Sequence, residues 1–315
     1  MIDTLSTLID KMVANVVTEF PLEEEYKKKT GVSPQDIAKL RQWLDTQPHL
    51  PAKYITDLDL ILIFHCCDRS TGVSKQVLDL HFTLRTLFHT YFKDRKVEDS
   101  IVRALNTVLM TPLAMRARDE SKIFYTHFLD LEVKNFNLGD CIRAVLMILD
   151  LKQYEEGTWP GLVIVIDFES MTLGHLAKLD LQNLQQFLYY LQEAMLVKLK
   201  GLHFTNAPSF IDKLLMMIRP FMKKELMDIL HVHQVGSKTL DPYVPMEALP
   251  SDAGGSYKTM SECRDAIIAK MQANKDFFVQ ENRKRVVESL RPGKPKTISD
   301  IFGGVEGSFK KLAID

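Results

Sequence analysis

The sequence predicts an α/β protein, with an N-terminal all-helical module followed by an α/β domain built on a mainly parallel sheet. Over the first 110 residues, apolar side chains recur at three- and four-residue steps, the period of amphipathic helices. From about Lys122 the period changes, and short apolar runs alternate with helical patterns, as right-handed crossovers between parallel strands require. The chain has 315 residues, of which 46% are hydrophobic and 26% charged, so it can fill a substantial core.

Taken in order, Ile2, Leu5, Ile9, Met12 and Val16 mark one helical face. The Lys/Glu-rich stretch Glu23 to Lys29 reads as a solvated helix end. Ser33-Pro34-Gln35-Asp36 carries a helix start: a capping serine, a proline at the first helical position and an acid at the positive end. Ile37, Leu40 and Leu44 then form the buried face. Asp57 is placed to cap the apolar segment Leu58–Phe64. Ser74 opens a helix with Val77, Leu80, Leu84, Leu87 and Tyr91 on one side.

Strands are expected at Ile123–Phe128, Leu162–Phe168, Leu202–Thr205 and Leu230–Val235. Helices are expected at Leu138–Leu151, Asp180–Leu196 and Ser209–Ile229. The unbroken run Val163-Ile164-Val165-Ile166 suits a strand buried on both faces. After a Gly-Gly break beyond Pro250, a C-terminal helix runs from Ser261 to about Leu290. The tail past Pro292, rich in Gly, Lys and Pro, is expected to be loose.

Charge excludes several classes. Forty Lys+Arg against 41 Asp+Glu leave a net charge of −1, without the basic excess of a generic nucleic-acid binder or the imbalance of a disordered chain. Four scattered cysteines with no C-x-x-C pair argue against a disulfide framework, a zinc site or a redox centre, and for a reducing compartment. Asp3, Asp10, Lys11 and Glu19 interrupt the N-terminal apolar residues, so no signal peptide is expected, and no apolar run is long enough to span a bilayer. The expectation is a soluble cytoplasmic protein.

No nucleotide or nucleophile-elbow motif is found; Gly303-Gly304-Val305-Glu306-Gly307 lies in the tail rather than between a strand and a helix. His231 and His233 alternate on a strand as two metal ligands could, but no third ligand has supporting spacing, which favours ordinary polar strand residues. His65, Cys66 and Cys67 are neighbours along a helix and do not face one another. Asp167 and Glu169 end the best strand, where α/β sheets place ligand-contacting groups, yet they equally serve to cap the following turn. No catalytic residue, metal or cofactor is assigned.

The most unusual stretch is Pro208–Ile229. Phe210, Leu214, Met217, Ile218 and Phe221 make a wide apolar stripe, with Ile211, Leu215, Met216 and Met222 beside it. That is too apolar for an ordinary surface helix, so it is either a core helix or an interfacial element. The basic flank of Arg219, Lys223 and Lys224 favours a lipid surface.

The segment Lys198-Leu-Lys-Gly-Leu-His-Phe-Thr-Asn-Ala-Pro-Ser-Phe210, followed by Ile218-Arg-Pro-Phe221, resembles the heart of a CRAL-TRIO lipid-binding domain. Val165-Ile-Asp-Phe-Glu169, His175 and Leu249-Pro-Ser-Asp-Ala-Gly-Gly255 add to the likeness, which is greatest to insect proteins similar to α-tocopherol- and retinaldehyde-transfer proteins. The resemblance implies a helical module over 1–105, a CRAL-TRIO domain over 106–256, and a C-terminal helix and tail over 257–315. It also implies a sheet that floors an apolar pocket, closed by a lid helix at Phe210, Leu214, Met217, Ile218 and Phe221. Pocket candidates are Ile142, Val145, Leu149, Leu162, Ile164, Ile166, Phe187, Leu191, Met195, Val197 and Leu199.

The implied activity is non-enzymatic binding and intermembrane transfer of a small hydrophobic ligand such as a tocopherol or retinoid. The alternatives are phosphatidylinositol or phospholipid exchange, and a non-transferring adaptor with the same fold. Lys198 and Lys200 match basic positions that bind phosphoinositides in the tocopherol-transfer branch. Glu225 and Ile229 stand where that branch has basic residues, and Arg219, Lys223 and Lys224 lie nearby to substitute. The expected partners are therefore the small ligand and a peripheral membrane surface, with no nucleic acid, for a monomer.

Overall fold

The computed structural model describes residues 16–303. The predicted face at Ile2, Leu5, Ile9 and Met12 lies outside the described residues, as does Gly304–Gly307.

Among the described residues, six helices make the N-terminal module: α1 (Leu22–Lys27), α2 (Pro34–Leu44), α3 (Asp57–Cys66), α4 (Thr71–Leu87), α5 (His89–Phe92) and α6 (Asp99–Thr107). At Ser33 the predicted start is a reciprocal capping box, in which Ser33 accepts from the Asp36 amide and Asp36 accepts from the Ser33 amide. Two other starts shift. Thr56, with Asp59, caps α3, and Asp57 is its first helical residue. Ser70 caps α4; Ser74 is buried within that helix and donates its hydroxyl to the Ser70 carbonyl at 2.7 Å, an outlet that lets serine sit inside a helix. The stretch read as a solvated helix end contains one buried acid: Glu25, 1% exposed, accepts from the Thr158 amide at 3.0 Å and from its hydroxyl, tying α1 to the α/β domain.

The α/β domain begins with β1 (Val108–Arg116) and β2 (Lys122–Phe128), then α7 (Leu138–Glu156) and β3 (Leu162–Asp167). It continues through α8 (Leu173–Ala177), α9 (Leu181–Glu193), β4 (Leu199–Ala207), α10 (Ile211–Ile218), α11 (Lys224–Asp228) and β5 (Leu230–Gln234). The sheet order is β1-β2-β3-β4-β5, with β1 antiparallel to β2 and every other pairing parallel. Strand β1 falls where the first 110 residues read as helix, because its apolar start runs straight on from α6. It is an edge strand, the position in a sheet that tolerates Pro112.

Both faces of the sheet are covered, which explains the continuous apolar run of β3. Leu162 and Ile164 join one cluster with α7, α9 and α10, while Val163 and Val165 join another with Leu240, Val244, Leu249 and Met260. Gly254 and Gly255 close the domain for two reasons. Gly254 has a left-handed φ of 84°, and a Cβ on Gly255 would lie 2.0 Å from the Leu249 carbonyl oxygen.

Two long helices expected from the sequence are broken. The stretch Ser209–Ile229 resolves into α10, a 3-10 turn at Arg219–Phe221, and α11. Pro220 lacks the amide hydrogen that a continuing helix needs. The C-terminal helix resolves into α12 (Met260–Ala273), α13 (Lys275–Glu281) and a 3-10 turn at Glu288–Leu290. The tail is not loose over its described part. Lys296 donates its amide to Glu288 at 2.9 Å and its ammonium to Asp79 at 3.5 Å, and α14 (Ile298–Phe302) stacks Phe302 on Phe88 with ring centroids 6.0 Å apart. Among the described residues no helix is long and apolar enough to cross a membrane.

Candidate ligand pocket and lid

Helix α10 lies on the sheet face carried by Leu162 and Ile164, with Ile211, Leu214, Leu215 and Ile218 buried and Met216 turned outward at 71% exposure. Phe210, Met217 and Phe221 are half-buried at its ends and edge. The proposed lid and the proposed pocket residues share one apolar cluster. Ile142, Leu149, Leu162, Ile164, Leu191 and Met195 are buried members, and Val145, Ile166, Phe187, Val197 and Leu199 pack against it. The helical period does this for α9, where Leu184, Leu188 and Leu191 recur on the inward face.

Next to this cluster opens a groove of about 460 Å³. Leu191, Met195, Val197 and Leu199 line one side, Leu226 and Ile229 another, and the helical module contributes Cys66, Cys67, Val73 and Val77. Its size falls within the ~300–1,000 Å³ of typical small-molecule sites. Ile142, Val145, Leu149, Leu162, Ile164, Ile166 and Phe187 lie in the apolar cluster instead of on the groove wall. The contribution of α3 and α4 has no local sequence signal, since it comes from a separate module.

The lid is held at both ends by amide side chains. At the entry, Asn206 takes a left-handed φ of 47°, which asparagine tolerates better than most residues, and donates to Asp167 Oδ1 at 2.8 Å. At the exit, Gln192 donates to the Phe221 carbonyl at 2.9 Å and accepts from the Lys223 amide at 2.7 Å. The Gln192 clasp was not readable, because its partners lie about thirty residues away in sequence.

The five basic residues are not equivalent. Lys198 pairs with Asp68, Lys223 with Glu193 and Lys224 with Asp228, whereas Lys200 and Arg219 are exposed and form no ion pair among the described residues. Lys223 lines the groove beside Glu225 and Ile229. The charge available to an anionic surface is therefore less than the residue count suggests.

The candidate chemical clusters are occupied by structure. Asp167 accepts from Tyr125 at 2.7 Å, from Asn206, and from the Glu169 amide at 3.0 Å, so it does cap the turn. Burial alone would raise its pKa, but His127, Asn206, the Glu169 amide and Tyr125 outweigh that and hold it at about 2, far from the range of a working general base. His65 contacts the Trp159 carbonyl at 2.9 Å instead of a thiol. The contact with Cys67, together with burial, pushes the Cys66 thiol up and keeps it protonated. His231 and His233 face His203, whose Nδ1 lies 3.0 Å from His233 Nε2. Burial, with both neighbours adding, lowers His203 to about 4 and leaves it neutral.

Residues 108–255 match the family model described as the CRAL/TRIO domain, and residues 30–102 match one described as a Pinta-like UBA domain. Clavesin-1 of Rattus norvegicus is 25% identical over 234 residues, a match that covers 74% of this chain and 66% of the relative. Clavesin-2 of Homo sapiens is 26% identical over 223 residues, covering 70% and 68%. The match thus spans just under two thirds of the length of the first of these relatives. A crystal structure of Sfh5 aligns with a TM-score of 0.45 at 12% identity, over 88% of this chain and 96% of that one. The five-stranded sheet, the helical module before it and the family match lead to one assignment: residues 108–255 form a CRAL/TRIO domain.

Proposed function

We propose that this protein binds a small hydrophobic molecule between the sheet and α10 and transfers it between membranes, without covalent chemistry. The observation that carries this reading is the single apolar cluster shared by β3, α7, α9 and α10, with a groove of about 460 Å³ beside it that α9, β4 and α11 line. The match of residues 108–255 to the CRAL/TRIO domain, a family whose members bind and transfer lipids, supports it. Burying ~300–400 Å² of ligand supplies about 7–12 kcal/mol at ~25–30 cal/mol per Å², before the costs of association. That suffices for tight binding without a charged contact.

Release requires α10 to move, which exposes its inner face. In water that costs roughly 1.5–3 kcal/mol for each large side chain, and against a bilayer the same face is buried again. The receiving membrane therefore favours the open state. The ligand class under this reading is a tocopherol, a retinoid or a similar lipid, carried by a cytoplasmic monomer that visits membranes transiently. Lys200 and Arg219, with Lys198, Lys223 and Lys224 around them, would meet anionic headgroups, phosphoinositides included.

Phospholipid exchange is a second reading, favoured by the polar side chains of Lys223, Glu225 and Gln192 at the groove, which could satisfy a headgroup. Organic extraction of the purified protein followed by mass spectrometry separates the readings. One stoichiometric apolar ligand supports the carrier, and phospholipid supports the exchanger. Empty protein that also shows no saturable binding of tocopherols, retinoids, carotenoids or fatty acids leaves only an adaptor.

A further inference from the structure

We propose that His127, Asp167 and Glu169 form a divalent-metal site at the C-terminal ends of β2 and β3. His127 and Asp167 are register partners on these adjacent parallel strands, and Glu169 follows two residues later on the turn into α8. One ligand atom from each of the three lies within 4.8 Å of the others. His127 Nδ1 lies 3.2 Å from Asp167 Oδ2. That matches the edge of a tetrahedral site, where ligand bonds of ~2.0 Å set neighbouring donors about 3.3 Å apart.

His127 is 11% exposed, and its Nδ1 is buried without a hydrogen bond: the nitrogen is near the carboxylate but off its bonding direction. A cation takes the place of a proton between Nδ1 and Oδ2, bonding to both, and its binding releases that proton.

The surroundings suit this role. Tyr125 donates to Asp167 Oδ2 at 2.7 Å and Asn206 donates to Oδ1 at 2.8 Å, fixing the carboxylate as outer-shell partners of a metal ligand do. Glu169 is exposed and forms no ion pair among the described residues, so its carboxylate can close on a cation. One imidazole and two carboxylates, with a fourth position open to water, suit Zn²⁺ or a cation of similar softness. His231 and His233 are less available, because His203 and Thr239 engage His233 at 3.0 and 2.7 Å.

The test uses the full chain after chelator treatment, titrated with Co²⁺ as a visible probe and with Zn²⁺ as competitor. The proposal expects one equivalent of Co²⁺ with the intense absorption of a four-coordinate site, displaced by Zn²⁺. Glu169→Gln and Tyr125→Phe should each weaken binding by about tenfold or more, and His127→Ala should remove the signal. His231→Ala should bind like wild type. If His127→Ala fails to fold, the exposed Glu169→Gln decides. Absence of saturable binding by wild type, unchanged affinity in Glu169→Gln, or loss confined to His231→Ala overturns the site.

Discussion

The junction between the helical module and the α/β domain is held by buried charge, whereas the lid is held almost entirely by apolar contact. At the junction, Asp150 of α7 accepts from Arg85 at 2.6 Å and from Arg95 at 2.7 Å. Glu281 of α13 accepts from Arg85 at 3.1 Å, and Lys284 reaches Asp59 of α3 at 2.7 Å. Arg95 is fully buried. At α10 the buried residues are Ile, Leu, Leu and Ile, with the Asn206 and Gln192 amides and the Lys223–Glu193 pair adding directional bonds near its ends. Buried charges need partners in fixed directions, and neither water nor lipid replaces a lost one cheaply. Apolar contact has no direction, so a bilayer can substitute for the sheet beneath the lid. Under the proposed function, the junction stays shut while α10 exchanges the sheet for a bilayer.

Breaking the junction should produce the largest effect. Asp150→Ala leaves two buried guanidinium groups with Glu281 as the carboxylate they share, which should cost about 3–5 kcal/mol of unfolding free energy in chemical denaturation. A loss of under about 1 kcal/mol would mean that the network does not lock the two parts together.

Acid probes the junction and, separately, the sheet face turned away from α10. The folded His203 pKa of about 4 lies below the ordinary value of 6.5, and His81 at the junction is lowered to about 3 by burial and by Arg85. The unfolded chain therefore binds more protons than the folded one in this range. The stability held by these groups is complete above about pH 6.5 and is lost as pH falls toward about 4 and then 3. His203→Gln should flatten the loss between about pH 6.5 and 4 and leave the His81 part. An unchanged profile would contradict the neutral, stacked arrangement of His203, His231 and His233.

The smallest effect is expected at the rim. Lys200→Glu should weaken binding to phosphoinositide vesicles more than Lys198→Glu does, because Asp68 already pairs with Lys198. Each charge near an anionic leaflet is worth about 1 kcal/mol, and added salt should mimic the change. Equal binding by wild type and Lys200→Glu would remove that residue from the membrane face.

How far this contrast could be read from the sequence depends on the range of the forces involved. The Ser33 capping box, the two-sided burial of β3 and the apolar excess of the lid are local patterns, and the structure contains all three. The junction was invisible because Arg85, Asp150 and Glu281 are separated by 65 and more residues, and nothing local marks a charge as buried. Glu25 and Lys296 were misread for the same reason, as members of a solvated run and of a loose tail. The broken lid was legible in principle, since Pro220 sits inside the predicted helix, but the continuing apolar pattern masked it. Strand β1 was hidden by its direct continuation from α6. The residues of the pocket list share one apolar cluster, yet the groove walls from α3 and α4 depend on how two modules dock.

The most direct test of the contrast measures ligand transfer between vesicles and equilibrium ligand binding side by side for Phe210→Asp. Phe210 is a half-buried residue at the start of α10, next to the Asn206 clasp and away from the buried ion network. A charge there penalises docking of the opened lid on a bilayer while leaving most of the cluster intact. The account predicts a transfer rate that falls much more than affinity does, with the denaturation midpoint near that of wild type. A folded Phe210→Asp protein that transfers ligand at the wild-type rate would contradict it.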